Sequence, residues 1–150
     1  MPFGDRPGVE SRRSSDGNQT VVFTFSNDVA SGNAAVTKGS ASVSEAPTFS
    51  GNTMTIVLKD VPRAERLAIM LSGVTDTFAQ TLPETTLSMK MLFGDTDGNS
   101  SVSSSDVGRV KANASNPVTE ANFRSDVTAD GAVTSSDIGA VKSMAGTALP

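Results

Sequence analysis

Asp95, Asp97, Asn99 and Asp106 occupy positions 1, 3, 5 and 12 of a twelve-residue window, and Asp126, Thr128, Asp130 and Asp137 occupy the same positions of a second window 31 residues later. At position 7, Ser101 and Ala132 each offer a backbone carbonyl. Calcium is a hard cation that takes roughly six to eight oxygen ligands, and a loop with oxygens at positions 1, 3, 5, 7 and 12 supplies them. The chemistry this spacing implies is a pair of calcium loops, 95–106 and 126–137, holding two ions. The bland alternative is a pair of Asp-Gly turns that bind nothing. Against it stands the register of the two copies. The pair Ser104-Ser105, then Gly108 and Lys111, returns as Ser135-Ser136, Gly139 and Lys142.

The copies are not identical. Loop one has Ser100 at position 6, where glycine eases a sharp turn, and Gly98 at position 4 does not replace it. Loop two keeps Gly131 but has Thr128 where Asn or Asp is usual. Position 12 is Asp in both, one methylene shorter than Glu. Both loops are expected to bind, unequally and below the affinity of cytosolic buffers.

The pattern asks for a helix leaving each loop, over 104–114 and 135–145. Val107, Val110 and Ala114, and likewise Ile138, Val141 and Ala145, recur at helical spacing and read as core stripes, with Phe123 filling between them. Val102 and Val133, at position 8, are expected to pair the loops with each other through a short β-bridge. The opposite stripes carry Ser104, Ser105, Gly108, Lys111 and Ser115 in copy one, and Ser135, Ser136, Gly139, Lys142 and Gly146 in copy two. A glycine inside a helix costs about 1 kcal/mol relative to alanine. Its presence in both copies points to a place where another backbone comes close, against the alternative of drift in a tolerant surface helix. Phe93 and the pair Leu149-Pro150 are expected to meet.

Upstream, period-2 alternation predicts short strands around 20–25, 53–58, 67–71 and 86–92, with weaker ones at 35–37 and 41–43. An edge strand is expected within 8–14, in a polar arm spanning 1–18. Turn signals fall at Asp16-Gly17, Asn27-Asp28, Ser31-Gly32-Asn33, Lys38-Gly39, Ser50-Gly51-Asn52 and Ser72-Gly73. One-sided strands bury their apolar faces best as two packed antiparallel sheets. The expected core is Val22 or its neighbours Val21, Phe23 and Phe25, with Met54, Ile56, Leu58, Leu67, Ile69, Leu71, Leu87, Met89 and Met91. The reading is therefore a two-domain chain: an all-β antiparallel sandwich over 1–93, followed by a small all-α calcium loop-helix pair over 94–150.

Composition excludes several classes. The chain of 150 residues has no His, Cys, Trp or Tyr, which removes thiolate and imidazole metal ligands and most nucleophile–base pairs. No enzyme is expected. Without Trp or Tyr to stack on sugar rings, carbohydrate binding is disfavoured. The net charge of −4 and the lack of a basic run argue against nucleic acid. No apolar run approaches the ~20 residues that cross a bilayer. No signal peptide is visible, and Met1-Pro2-Phe3-Gly4 reads as the start of an excised fragment with a region missing upstream.

A strand, not a helix, enters loop one over 87–93, so each unit is half of an EF-hand. This duplicated half-hand resembles the dockerin family, over about 40% of the chain. The resemblance rests on Gly94-Asp95-Thr96-Asp97-Gly98-Asn99, on Ser-Ser-Asp-Val and Ser-Ser-Asp-Ile at the loop ends, on Val110-Lys111 and Val141-Lys142, and on Asn122-Phe123-Arg124-Ser125-Asp126 leading into loop two. It implies a calcium-stabilised F-hand pair that binds a cohesin-type partner and anchors a secreted or cell-surface bacterial modular protein. It further implies that Ser104, Ser105 and Lys111, with Ser135, Ser136 and Lys142, meet that partner. The preceding sandwich is similar to Ig-like modules of such proteins. The alternative is a self-contained calcium-binding structural domain without a cohesin partner.

Overall fold

A computed structural model describes residues 8–149. The prolines at 2, 7 and 150, and with them the expected contact of Pro150, lie outside the described residues. The described chain divides into two compact units. One comprises Gly17–Val61 and Leu67–Ser88; the other comprises residues 8–16, Pro62–Arg66 and residues 89–149. Where the sequence suggests one boundary between 93 and 94, the compact division follows packing and gathers three separate stretches of the first 93 residues with the loops.

The strands are β1 (Val9–Glu10), β2 (Gln19–Thr24), β3 (Val29–Lys38), β4 (Ser42–Val43), β5 (Thr48–Ser50), β6 (Thr53–Lys59), β7 (Ala64–Asp76) and β8 (Thr85–Leu92). They form two sheets, one in the order β1-β8-β7-β3 and one in the order β2-β6-β4, with β5 also paired to β6. In the first unit, β2 and β6 run antiparallel with Val21 opposite Ile56 and Phe23 opposite Met54. Met54, Ile56 and Leu58 alternate inward on β6, and Leu67, Ile69 and Leu71 do so on β7, all buried. Val21, Phe23, Phe25 and Leu87 are only half-buried, and Val22 is exposed, as expected for the outward phase of an alternating strand.

Two expected turns are instead strand. The stretch Ser31-Gly32-Asn33 lies inside β3, where register shifts on either side of Ser31 absorb the extra residues as bulges. Gly32 is required there: a Cβ would stand 2.9 Å from Val74 Cγ2 and 3.5 Å from Met54 Sδ. The Met54 distance places β6 of one sheet against β3 of the other. Ser72-Gly73 lies inside β7, with Gly73 taking the left-handed φ of +58° that keeps the strand continuous.

The second unit contains α1 (Ser104–Asn113) and α2 (Ser135–Met144), within a residue or two of the expected spans. Each begins with a capping box, Ser103 with Asp106 and Thr134 with Asp137. Each carries its acid in the first turn and its lysine in the last, which suits the helix dipole. The core joins Leu92, Val102, Val110, Val127, Val133, Val141 and Met144 with Val9 from β1. Val107, Ile138, Phe93 and Leu149 pack on it partly buried. Ala145 is exposed because α2 ends before it, and Met144 takes its place. Phe123 is 37% exposed and is not the filler; Val127, fully buried, is.

The bridges also differ from expectation. Val102 and Val133 are both buried, but the loops do not pair with each other. Ser101 bridges Ala148, and Ala132 bridges Pro117. The chain leaving α2 returns to loop one, where Val102 N–H donates to Thr147 O at 2.8 Å. The chain leaving α1 goes to loop two, where Ser115 N–H donates to Val133 O at 3.0 Å. Loop one is entered by β8 and loop two by a single 3-10 turn, Phe123–Ser125, and each loop takes its bridge partner from the segment that follows the other repeat's helix.

Candidate metal centre and helix faces

Loop one is held by its own first and last acids. Asp95 Oδ1 accepts from Gly98 N–H at 2.8 Å and Asn99 N–H at 3.1 Å, and its Oδ2 accepts from Ser100 N–H at 2.8 Å. Asp106 closes the loop. Its Oδ1 accepts from Thr96 N–H at 2.9 Å and Asp97 N–H at 3.2 Å, while its Oδ2 caps the helix by accepting from Ser103 N–H at 2.8 Å. Asn99 Oδ1 accepts from Ser101 N–H at 2.8 Å, which turns the chain at position 7. These bonds bring carboxylate oxygens of Asp95, Asp97 and Asp106 within 4.8 Å of one another. Asp95 and Asp106 are fully buried.

Loop two repeats the scaffold. Asp126 accepts from Asp130 N–H at 3.1 Å and Gly131 N–H at 2.9 Å. Asp137 accepts from Thr128 N–H at 3.1 Å and, for its cap, from Thr134 N–H at 2.8 Å. Asp130 Oδ1 accepts from Ala132 N–H at 3.0 Å, matching Asn99. The copies part at position 3. Asp97 adds a carboxylate to the cluster, whereas the Thr128 hydroxyl donates to Asp137 Oδ1 at 3.0 Å. Among the described residues, Asp126, Asp130 and Asp137 do not converge as the loop-one acids do.

Burial, more than anything else, pushes the Asp95 carboxyl above its usual range, and the nearby Asp97 and Asp106 add to the shift. Three carboxylates crowded together, Asp95 and Asp106 of them buried, repel one another, and a cation relieves that repulsion. Hard oxygen donors, a neutral amide at position 5 and a backbone carbonyl at position 7 match calcium chemistry. The ligand set named from sequence, Asp95, Asp97, Asn99, Ser101 and Asp106, thus lies in one turn of chain, and the structure brings its three acids together.

Backbone strain at the loops is shared in a way the sequence does not show. Positions 4 and 6 are left-handed in both copies: Gly98 and Ser100 at φ +78° and +73°, Ala129 and Gly131 at +56° and +92°. Each loop has one glycine for two such positions. Ser100 departs visibly from the glycine usual at position 6, whereas Ala129 carries no such signal, because alanine is unremarkable until its φ is known.

The outward stripes are open. Ser104, Ser105, Gly108, Lys111, Ser135, Ser136, Gly139 and Lys142 are all exposed. Nothing lies within 4 Å of a Cβ built at Gly108 or Gly139, so no group of the described chain explains either glycine. No helix among the described residues is long and apolar enough to cross a membrane.

Residues 93–144 match the family model of the dockerin type I domain. The match takes in both loops, α1 and α2, and supports a dockerin domain in this part of the chain. A dockerin domain is a calcium-dependent protein–protein interaction module with no catalysis of its own. No curated protein and no solved structure matches the chain.

Proposed function

We propose that the dockerin region docks a cohesin-type partner and so anchors or assembles a modular bacterial protein, secreted or held at the cell surface. On this reading, loops 95–106 and 126–137 each hold one calcium ion through the ligands named above. The ions are scaffold, and the two small-residue helix faces are the binding surface. The Ig-like β-sandwich is a spacer or carrier. The observation that carries the reading is the convergence of Asp95, Asp97 and Asp106 within 4.8 Å at the capped start of α1, inside the matched family segment.

Calcium that binds only the folded state adds about 2.7 kcal/mol per site at a hundredfold excess over its dissociation constant. For a unit with a core of Val, Leu and Met this is a large share of the stability. Calorimetric titration of calcium into the chain should give two sites, and into an Asp95→Ala, Asp126→Ala variant none. Capture of a cohesin-type module should require calcium and cease with chelator. Two-site binding with thermal stabilisation but no capture favours the second reading, a self-contained calcium-binding structural domain.

A further inference from the structure

Residues 8–16 precede the loops by some eighty positions, yet they sit in the same compact unit. Val9 is 6% exposed and belongs to the core that holds Val102 and Val133 of the two loops. β1 pairs in parallel with β8, Val9 opposite Lys90 and Glu10 opposite Met91. The next residues reach both loops beside their first acids, on the preceding side in loop one and the following side in loop two. Ser11 O accepts from Gly94 N–H at 2.9 Å, immediately before Asp95. Arg13 N–H donates to Val127 O at 2.8 Å, immediately after Asp126.

Side chains repeat the theme. Arg12 pairs with Glu10 at 3.0 Å, lies 4.8 Å over the Phe123 ring and feels the charge of Asp126. Arg124, two residues before Asp126, donates to Val9 O, and its Nη1 lies 2.9 Å from where a Gly98 Cβ would be. Loop one, loop two and the arm therefore share one set of contacts, while both outward helix stripes remain exposed.

We infer that residues 8–16 are a strap that completes the calcium unit, tying together the first-ligand positions of the two loops so that strap seating and calcium binding are thermodynamically linked. This rests on the reading of 95–106 and 126–137 as calcium loops. The linkage is reciprocal: whatever calcium does for the strap, the strap does for calcium. It makes the functional unit discontinuous in sequence. A partner-binding fragment cut at residue 94 loses its strap, a consequence that a family match beginning at residue 93 gives no hint of.

The test uses the full chain, with calcium alone as the probe. In calcium, the amides of Arg13 and Gly94 should be protected from hydrogen exchange, and chelator should release both together with the loop amides. Val9→Asp should unseat the strap and weaken calcium about tenfold, the scale of a lost buried contact. Val9→Ala, which keeps the fold more safely, should weaken it by a smaller factor in the same direction. If the wild type binds calcium but both variants titrate as it does, or if the Arg13 amide exchanges freely in calcium, the strap is overturned and the calcium loops stand. If the wild type takes up no calcium, the loop reading itself fails and the strap falls with it.

Discussion

The hydroxyl of Thr128 donates to Asp137 Oδ1 at 3.0 Å, so the third position of the second loop is turned toward its own closing ligand. In the first loop the third position is Asp97, whose carboxylate joins the cluster of acids with Asp95 and Asp106. The affinity of such loops is tuned by the number of charged ligands and by rigidity. The two sites should therefore differ, loop one filling first. Thr128→Asp should raise the weaker affinity by about tenfold and bring the two steps of a calorimetric titration together. An unchanged isotherm would remove position 3 as the source of the asymmetry.

Ala129 sits at φ +56° and Ser100 at +73°, in a region that costs an L-residue roughly 1–2 kcal/mol. Glycine relieves the cost but loosens the unfolded chain, so Ala129→Gly should stabilise the unit by about 0.5–1 kcal/mol net. Ser100→Gly should gain less, because Lys90 Nζ donates to Ser100 Oγ at 3.2 Å and that contact is lost. Gly98→Ala should do the reverse, because alanine is strained at φ +78°, while Arg124 Nη1, at the end of a flexible side chain, can move aside from the new Cβ. Melting in chelator, where calcium does not mask the differences, ranks the three.

The raised Asp95 carboxyl sets a sign for pH. A folded carboxyl above its unfolded value binds protons that the unfolded chain has released, so the metal-free unit loses this stabilisation as pH rises from about 3.8 through the raised folded value. On the proposed calcium reading the ion reverses the preference, because ion and proton would compete for Asp95. Calcium affinity should begin to fall, on acidification, at a pH above the usual carboxylate range, with proton release on binding. Calorimetry in buffers of different ionisation enthalpy measures that release. Asp76 in the other unit behaves oppositely: the bond from Asn27 lowers its carboxyl, so its contribution is kept above 3.8 and lost only on further acidification.

Ser11 is fully buried, and its Oγ has no hydrogen-bond partner among the described residues. Its backbone carbonyl does the strapping. A buried unsatisfied hydroxyl costs about 1–3 kcal/mol, and removing it recovers a part. Ser11→Ala should keep the bond to Gly94, raise the melting temperature of the unit by a few degrees and leave the helix faces untouched. A lower melting temperature would mean that the hydroxyl does have a partner in solution.

How far the sequence could be read depends on the range of the interactions. The loops and helices are local: ligands, caps and apolar stripes lie within a dozen residues of one another, so 95–106, 126–137 and both helix spans are readable from spacing. The alternation of β6 and β7 was readable for the same reason. The crossed bridges of Ser101 with Ala148 and Ala132 with Pro117 were not, because they depend on where each helix returns the chain. The strap was further from reach. Val9 joins a core otherwise drawn mostly from residues beyond 90, and a two-residue strand has no periodicity to announce it. Gly32 and Gly73 were misleading in the other direction, because a glycine that admits a neighbour or a bulge looks like one that makes a turn.

The glycines at 108 and 139 separate folding from docking. In the free unit a Cβ at either place meets nothing within 4 Å, and both sites are exposed mid-helix positions. Gly108→Ala and Gly139→Ala should each stabilise the unit by about 1 kcal/mol, the helix-propensity gain with no packing cost. If the stripes are the docking surface, replacement by leucine at both positions should abolish capture of the partner while the calcium isotherm stays as in the wild type. The two stripes are nearly the same residue for residue, Ser104, Ser105, Gly108 and Lys111 against Ser135, Ser136, Gly139 and Lys142. A partner that can dock on either copy, in orientations related by a half-turn, should then tolerate leucine in one stripe with little loss, and only the double variant should fail. Loss of capture from one stripe alone means a single docking orientation. Full capture by the double variant moves the binding surface off these helix faces altogether.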